Sequence, residues 1–495
     1  MKNNMRTYKL ALILVLSLSL AGCESFLEKN PQGALTQTTF PASASDALLA
    51  VNAAYAGMLD LSFHSGIFPL MDIMSDDARK GSNPTDQSAE IGPYDSFKFT
   101  KTGSELSLWW ATLYQCIKRT NVVIEKVPVI VMDEKLRNRY IAEAKFLRAL
   151  YYFDLVRAWG DVPLVTALDP SIKLTRSPKL DVYKQIEQDL IAAIADLDEK
   201  SDQPSSQLGR ATKGSARGLL AKVYLFQGDF ANASKYAMEV INSNIYGLEP
   251  VFTDATGVAG EDGIESVFEI GAIGIEGTGG NGYANVQGVR GTPNRGWGFN
   301  RPAPNLRASF EPGDPRLKGT IIDLGDVIDG ITIMGDGTTP DVTTDTNGNI
   351  LETECYNRKV WTPGTDVASQ FGHNRRLLRY ADVLLIAAEA LNETDKPGQA
   401  LVYLNTVRLR ARQGNSTILP DIKTTEKNAL RDLILKERRN ELAMEGHRFW
   451  DLVRTGKAAD VLGPLGFVAG KNELLPIPQS EIDISQGSLT QNPNW

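Results

Sequence analysis

The sequence predicts a mainly helical protein, a tetratricopeptide-like superhelix carrying a large, irregular, loop-rich insertion and little sheet. Three observations predict it. Apolar residues recur at steps of three and four through much of the chain, small and aromatic residues fall at paired-helix offsets within those stretches, and glycine and proline break the pattern between Tyr246 and Asn374. With 495 residues, 42% hydrophobic and 23% charged, the chain can bury a sizeable core, and neither wholesale disorder nor a polytopic membrane protein fits. A net charge of -8 lacks the basic footprint of a nucleic-acid binder, so no nucleic-acid partner is expected. Three cysteines and three histidines leave little material for a soft-metal cluster or a disulfide scaffold.

At the N-terminus, Lys2, Arg6 and Lys9 precede the apolar run Leu10 to Leu20, which is too short to span a bilayer and has the length of a signal h-region. It ends in Leu20-Ala21-Gly22-Cys23, with small residues at the cleavage position and a cysteine just after. This spacing resembles a bacterial lipobox, so residues 1–22 are expected to be a lipoprotein signal peptide and Cys23 the lipid-bearing first residue of the mature chain. Each buried CH₂ of the acyl chains contributes about 0.8 kcal/mol to anchoring. Of the other cysteines, Cys116 shares helical spacing with Trp109, Leu113 and Val123, which predicts a buried free thiol; spacing alone does not decide whether it pairs with Cys355.

From Ser104 to Val127, the residues Leu106, Trp110, Leu113, Ile117, Asn121 and Ile124 trace one helix face. Leu136, Tyr140, Ala144, Leu147, Tyr151 and Leu155 repeat the pattern until Trp159-Gly160-Asp161-Val162-Pro163, where glycine permits a left-handed cap and proline cannot continue the ladder. Further helical segments are expected at Val182 to Leu197, Lys213 to Gln227, Phe230 to Ile241, Arg379 to Leu391, Gln399 to Arg412 and Lys427 to Val453. Period-two alternation is confined to short runs such as Ile264 to Ile270 and Ile321 to Ile322. Leu220, Ala221, Tyr224 and Ala233 form one repeat-like set, and Ala388, Leu391 and Ala400 a second. Leu147 to Tyr152 begins a third. About four helix pairs are therefore expected to stack.

The expected domain plan places helix pairs within about 40–245 and 375–455, a loop-rich ligand-binding insertion over about 246–374, and an irregular tail over 456–495. Tyr283, Trp297, Phe299, Phe310, Tyr356 and Trp361 favour an ordered insertion, and a second loop-rich stretch runs from Phe63 to Phe99.

Four stretches carry a resemblance: CESFLEKNP from Cys23, EAKFLRALYYFDLVRAWGDVPLV from Glu143, RYADVLLIAAEAL from Arg379, and KERRNELAMEGHRFWDLVRTG from Lys436 with the closing PIPQSEI and QNPNW. FEPGDPR at Phe310 is a further segment of the same kind. Together they resemble the SusD/RagB family of outer-membrane nutrient-binding lipoproteins, over 23–495. The resemblance implies a lipid-anchored protein of the outer membrane facing the cell exterior. Its implied partner is a TonB-dependent beta-barrel transporter of the SusC-like kind, to which it delivers oligosaccharide or polysaccharide. Peptides are the alternative cargo, as in RagB-like members.

Sugar binding uses aromatic faces against the C–H face of a sugar ring, with amides, carboxylates or arginines on the hydroxyls. Trp297, Phe299, Asn300 and Arg301 supply both elements within a few residues, and Gly296 and Gly298 let such a loop expose its rings. Their other role would be to anchor the insertion onto the helices. Tyr283 and Trp361 are further aromatic candidates, and Asp76, Asp77 and Arg79 lie in the early loop region where the family places polar contacts. Trp109, Trp110, Trp159 and Trp450 sit on helical stretches and are expected in the core.

Glu437, Glu441 and Glu445 stand at i, i+4 intervals beside Arg438, Arg439, His447 and Arg448, a pattern that reads as an ion-pair ladder rather than a metal or acid–base site. Thr343 to Gly348, followed by Glu354, places glycine sixth and glutamate twelfth as in a calcium loop, yet its first position is Thr343 where that motif needs Asp. No cofactor and no metal site is expected, a structural calcium in a looser loop site being the alternative. The sequence contains no GxSxG elbow, HExxH pair or phosphate loop, and a glycosidase, needing only two carboxylates, is set aside by the resemblance. The reading is a binding protein and not an enzyme, with a peptide binder or a pure protein-binding scaffold as rivals.

Overall fold

The computed structural model describes residues 40–168, 174–275, 280–344, 346–348, 350–363 and 371–495. The expected leader and Cys23 lie outside the described residues. Met1–Ala42 is a unit of its own, of which 40–42 are described, and Ser43–Trp495 is a second compact unit.

Helices of seven or more residues are α1 (Ala44–Ala56), α2 (Ser104–Lys126), α3 (Glu134–Trp159), α4 (Lys179–Asp196), α5 (Lys213–Gln227), α6 (Phe230–Asn242), α7 (Tyr380–Glu393), α8 (Pro397–Ala411), α9 (Lys427–Leu442) and α10 (Arg448–Arg454). Local signals explain their ends. Ser43 and Asp46 form a capping box on α1, and Thr212 and Ser215 form one on α5. Gly160 stops α3 with φ +71, packed so closely under Leu474 that a Cβ there would come within 2.9 Å of it. No helix among the described residues is long and apolar enough to cross a membrane.

Each helix packs on the next, α1 on α2, α3 on α4, α5 on α6 and α7 on α8, with α2–α3, α4–α5 and α6–α7 contacts joining the pairs and α9 against α7. This is the tetratricopeptide-like array that the periodicity predicts. Trp159 meets Trp109 and Trp110 at ring-centroid distances of 4.9 and 5.1 Å, and all three are buried. The small residues Ala221 and Ala233 are fully buried between α5 and α6. Helix α1 is one that apolar periodicity did not single out; its capping box was the available signal.

One expected helix is two. Residues 427–453 read as continuous, but the chain breaks between α9 and α10, where Met444 and Gly446 have φ of +63 and +79. The cause is tertiary. The Glu441 carbonyl oxygen, which would accept the next helical N–H, accepts instead from Lys359 Nζ at 2.7 Å and Arg379 Nη2 at 3.0 Å, while the Gly446 N–H donates to Asp72 Oδ1 at 2.8 Å.

The strands, all short, are β1 (Ala78–Gly81), β2 (Ser266–Ile270), β3 (Phe299–Pro302), β4 (Ile321–Asp323), β5 (Val327–Ile328), β6 (Ile331–Thr332), β7 (Val342–Thr344), β8 (Ile350–Thr353), β9 (Cys355–Asn357) and β10 (Arg375–Arg379). They pair two by two and antiparallel. The pairing of β2 with β10 brings the two ends of the insertion together beside α5, where Gly218 lets Leu378 approach. The pairing of β1 with β3 joins the early loop to the insertion.

The charged residues of α9 do form ion pairs, but across the fold rather than along the helix. Arg316 pairs with Asp314 at 2.8 Å, Glu437 at 2.5 Å and Glu441 at 3.3 Å. Arg379 pairs with Glu445 at 2.8 Å, Glu441 at 3.2 Å and Glu265. Arg410 holds Glu265 at 2.8 Å and also Glu441, and Arg408 holds Glu437 at 2.7 Å and Glu311 at 3.0 Å. Apart from Glu311 these side chains are at most 7% exposed. Burial disfavours the Glu441 carboxylate, but Arg410, Arg379 and Arg316 outweigh it and bring its pKa down to about 2.

Cys116 and Cys355 are free and buried. Cys116 lies under Gly57 in the helical core, while Cys355 belongs to a small core with Phe310 and Ile321. Burial pushes their thiols up to about 12 and about 11.

Candidate functional site

The β1–β3 ladder, with Ala78 opposite Pro302, Arg79 opposite Arg301 and Gly81 opposite Phe299, carries the early loop onto the strand that follows Trp297. Residues 288–298 form a loop closed on itself: Gly298 N–H donates to Gly288 O at 3.0 Å and Arg295 N–H to Val289 O at 2.8 Å. Trp297 stands at its foot, its N–H donating to Asn285 O at 2.8 Å. The flanking glycines are required: a Cβ at 296 would lie 2.1 Å from Asn285 O, and Gly298 has φ +74. Trp297 is 46% exposed, on a loop fixed by backbone hydrogen bonds.

Arg290 braces this loop. Its guanidinium pairs with Asp86 of the early loop and with Asp336 at 2.6 Å, and Asn83 Nδ2 donates to Thr338 O at 3.4 Å. Burial disfavours the Asp336 carboxylate, and the Thr339 and Thr338 N–H groups outweigh it, holding the carboxyl below its usual range. Three loops far apart in sequence, 82–86, 288–298 and 334–339, therefore meet at one surface, with Met334 exposed beside the Thr292–Gly335 bridge. Sequence reasoning missed Arg290, Asp86 and Asp336, because ordinary charged residues scattered through loops give no local signal of pairing.

The other candidates are placed differently. Phe299, Asn300 and Arg301 are buried, which corrects the expectation that they share an open platform with Trp297. Phe299 packs edge-on against Phe68 at 4.6 Å; Asn300 Nδ2 donates to Gln287 Oε1 at 2.7 Å and Asp72 Oδ2 at 3.2 Å; Arg301 pairs with Glu352 at 3.1 Å. They fasten the insertion to the scaffold. Tyr283 is buried against His64, with the Arg375 guanidinium over its ring at 4.6 Å. Trp361 is buried too, its Nε1–H donating to Asp329 Oδ2 at 2.7 Å.

Asp76 and Asp77 are likewise buried, held by Arg448 and Arg439: Asp76 lies 2.7 Å from Arg448 Nε and Asp77 2.7 Å from Arg439 Nε. Arg79 is half-buried and donates to Ala78 O at 2.7 Å. The early loop is thus salt-bridged to the segment around α9 and α10, and of the nine candidates only Trp297 opens an aromatic face. Glu354, the twelfth position of the calcium-like run, accepts from the Tyr356 hydroxyl, while Asp345 lies outside the described residues. Among the described residues no cluster of three or more His, Cys, Asp or Glu could hold a metal ion.

The fold is thus a helix-pair scaffold that presents Trp297 on a braced loop cluster. The chain matches the SusD family over residues 265–466 and a family described as starch-binding associating with outer membrane over residues 26–225. It is 31% identical to SusD-like protein P2 of Formosa agariphila, covering 99% of this chain and 100% of that protein. The protein belongs to the SusD-like family. A solved laminarin-binding SusD-like protein is 31% identical, covers 92% of this chain and 100% of its own, and superposes with a TM-score of 0.76. Surface glycan-binding protein A of Bacteroides thetaiotaomicron, solved in complex with laminarihexaose, is 26% identical over 91% of this chain and 100% of its own, also with a TM-score of 0.76.

Proposed function

We propose that this protein is a surface glycan-binding lipoprotein that captures oligosaccharide on Trp297 and performs no bond-making chemistry. The observation that carries the reading is the exposed Trp297 ring on a loop held by backbone hydrogen bonds and by Arg290. A flat ring fixed in advance loses little freedom on binding, and its face matches the C–H face of a pyranose. Laminarin heads the ligands to be tested, since two of its structural relatives are a laminarin-binding protein and one solved with laminarihexaose.

Anchoring through Cys23 to the outer membrane, exposure at the cell exterior and delivery to a TonB-dependent transporter complete the proposal. Native gels cast with laminarin and other polysaccharides test the binding. Retardation by at least one glycan is expected, and retardation by none, with peptides recovered from the purified protein, would replace the glycan reading with the peptide one. Delivery is tested by deleting the gene: loss of uptake of the retarding glycan is expected, and unchanged uptake would overturn it.

A further inference from the structure

A cavity lies among the helices of the array. It occupies about 80 Å³ between α3, α5, β10 and the turn at Gly446, which is room for about six waters. Its wall carries several charges, and nearly all are matched. Arg157 pairs with Asp154, Lys222 with Asp382 at 3.0 Å, Arg376 with Glu269 at 3.1 Å, and Glu445 with Arg379 at 2.8 Å. The carboxylate of Asp72 is taken up by the Gly446 N–H and Asn300.

Arg375 is different. Among the described residues no carboxylate lies within ion-pair distance of its guanidinium, which touches His64 Nδ1 through Nη1 at 2.6 Å and covers the Tyr283 ring. A guanidinium only donates, so His64 Nδ1 accepts and the imidazole proton sits on Nε2, which is buried with no partner among the described residues. Trp109, which lines the same cavity, also has its indole N–H buried and without a partner among the described residues. Without a hydrogen-bond partner among the described residues in and beside this cavity are three donors, His64 Nε2–H, Trp109 Nε1–H and Arg376 Nε–H, and two acceptors, Glu269 Oε2 and Asn300 Oδ1. Donors outnumber acceptors, and the Arg375 guanidinium, which interacts with Asp72 only at longer range, makes no ion pair among the described residues.

We propose that the cavity is a binding site for a small oxyanion, held by Arg375 and the Trp109 Nε1–H. An oxyanion offers only acceptors, and charge-assisted hydrogen bonds to a guanidinium are the strong ones. Sulfate, phosphate and acetate share this chemistry and serve as the probes.

The test is calorimetric and thermal titration of the purified protein with each anion at constant ionic strength, chloride being the reference. A saturable heat with one site and a rise in Tm over chloride are expected for at least one probe, and which probe gives it distinguishes an inorganic oxyanion from a carboxylate. Trp109→Phe should weaken binding by about tenfold, and Arg375→Met should abolish it. Arg375→Lys, which keeps the charge and loses the fork, should bind more weakly than wild type while keeping the fold. Crystals of the wild-type protein soaked in selenate give a readout that needs no variant: an anomalous peak beside Arg375 is expected. Responses equal to chloride for all probes, or an unchanged response in Arg375→Met, would each overturn the site, as would no peak at Arg375 when sulfate is a probe that binds.

Discussion

Where α2 meets α3, the contacts are rings and methyl groups: Trp159 is wedged between Trp109 and Trp110, with Leu113, Phe146 and Leu155 buried in the same core. Where residues 311–316 and Lys359 of the insertion meet α8 and α9, the contacts are guanidinium groups and carboxylates, with Arg316, Arg379, Arg408 and Arg410 interleaved among Glu265, Glu437, Glu441 and Glu445. The first kind of contact is non-directional and tolerates sliding; the second fixes angles and distances. A regular array suits the former, and a loop-rich body with little core of its own needs the latter to be held in one orientation.

The two regions should therefore break differently. The largest effect is expected from Trp159→Ala, which opens a cavity in the shared helical core and should cost about 3–5 kcal/mol, read as a fall in the global unfolding midpoint. Arg316→Met strips the buried Asp314 of its guanidinium and takes one partner each from Glu437, which keeps Arg408, and Glu441, which keeps Arg379 and Arg410, at a cost of about 3 kcal/mol. Hydrogen exchange should show its loss of protection concentrated around 311–320 and 358–360, whereas Trp159→Ala should loosen the helices; an identical exchange pattern for both would remove the distinction.

Acid separates the regions further. The Glu441 pKa is lowered in the fold, to about 2 from an ordinary 4.5, so the stability it contributes is complete above the ordinary value and is lost as pH falls through that window. Asp72 runs the other way: burial, opposed by the Gly446 N–H and Asn300, pushes its pKa up to about 6, so its contribution is complete below the ordinary carboxylate value and fades as pH rises toward 6. Denaturant midpoints measured from pH 6 to pH 2 should fall below about 4.5. Trp159→Ala should keep that slope and Arg316→Met should flatten it.

These contrasts explain what could be read from the chain. Apolar periodicity is a local property, and the expected bounds of α5, Lys213 to Gln227, match the structure. The break between α9 and α10 was illegible, because Ala443, Met444 and Glu445 are ordinary helix residues and the groups that interrupt the ladder, Lys359, Arg379 and Asp72, come from elsewhere in the chain. The glycine pair around Trp297 did signal an exposed ring. The burial of Phe299, Asn300 and Arg301 depends on β1 and on Phe68, Gln287 and Asp72, which adjacency to Trp297 could not reveal.

Trp297→Ala is the mildest change to the fold, expected to alter stability by less than about 1 kcal/mol because the residue is 46% exposed and belongs to none of the buried cores. Its effect should appear only in binding, with affinity for the retarding glycan lowered roughly tenfold or more. Wild type and Trp297→Ala run side by side in native gels cast with laminarin and the wider glycan panel measure this directly. Retardation of the wild type, relieved in the variant at an unchanged unfolding midpoint, is the predicted result; equal retardation of the two proteins would contradict a binding surface centred on Trp297.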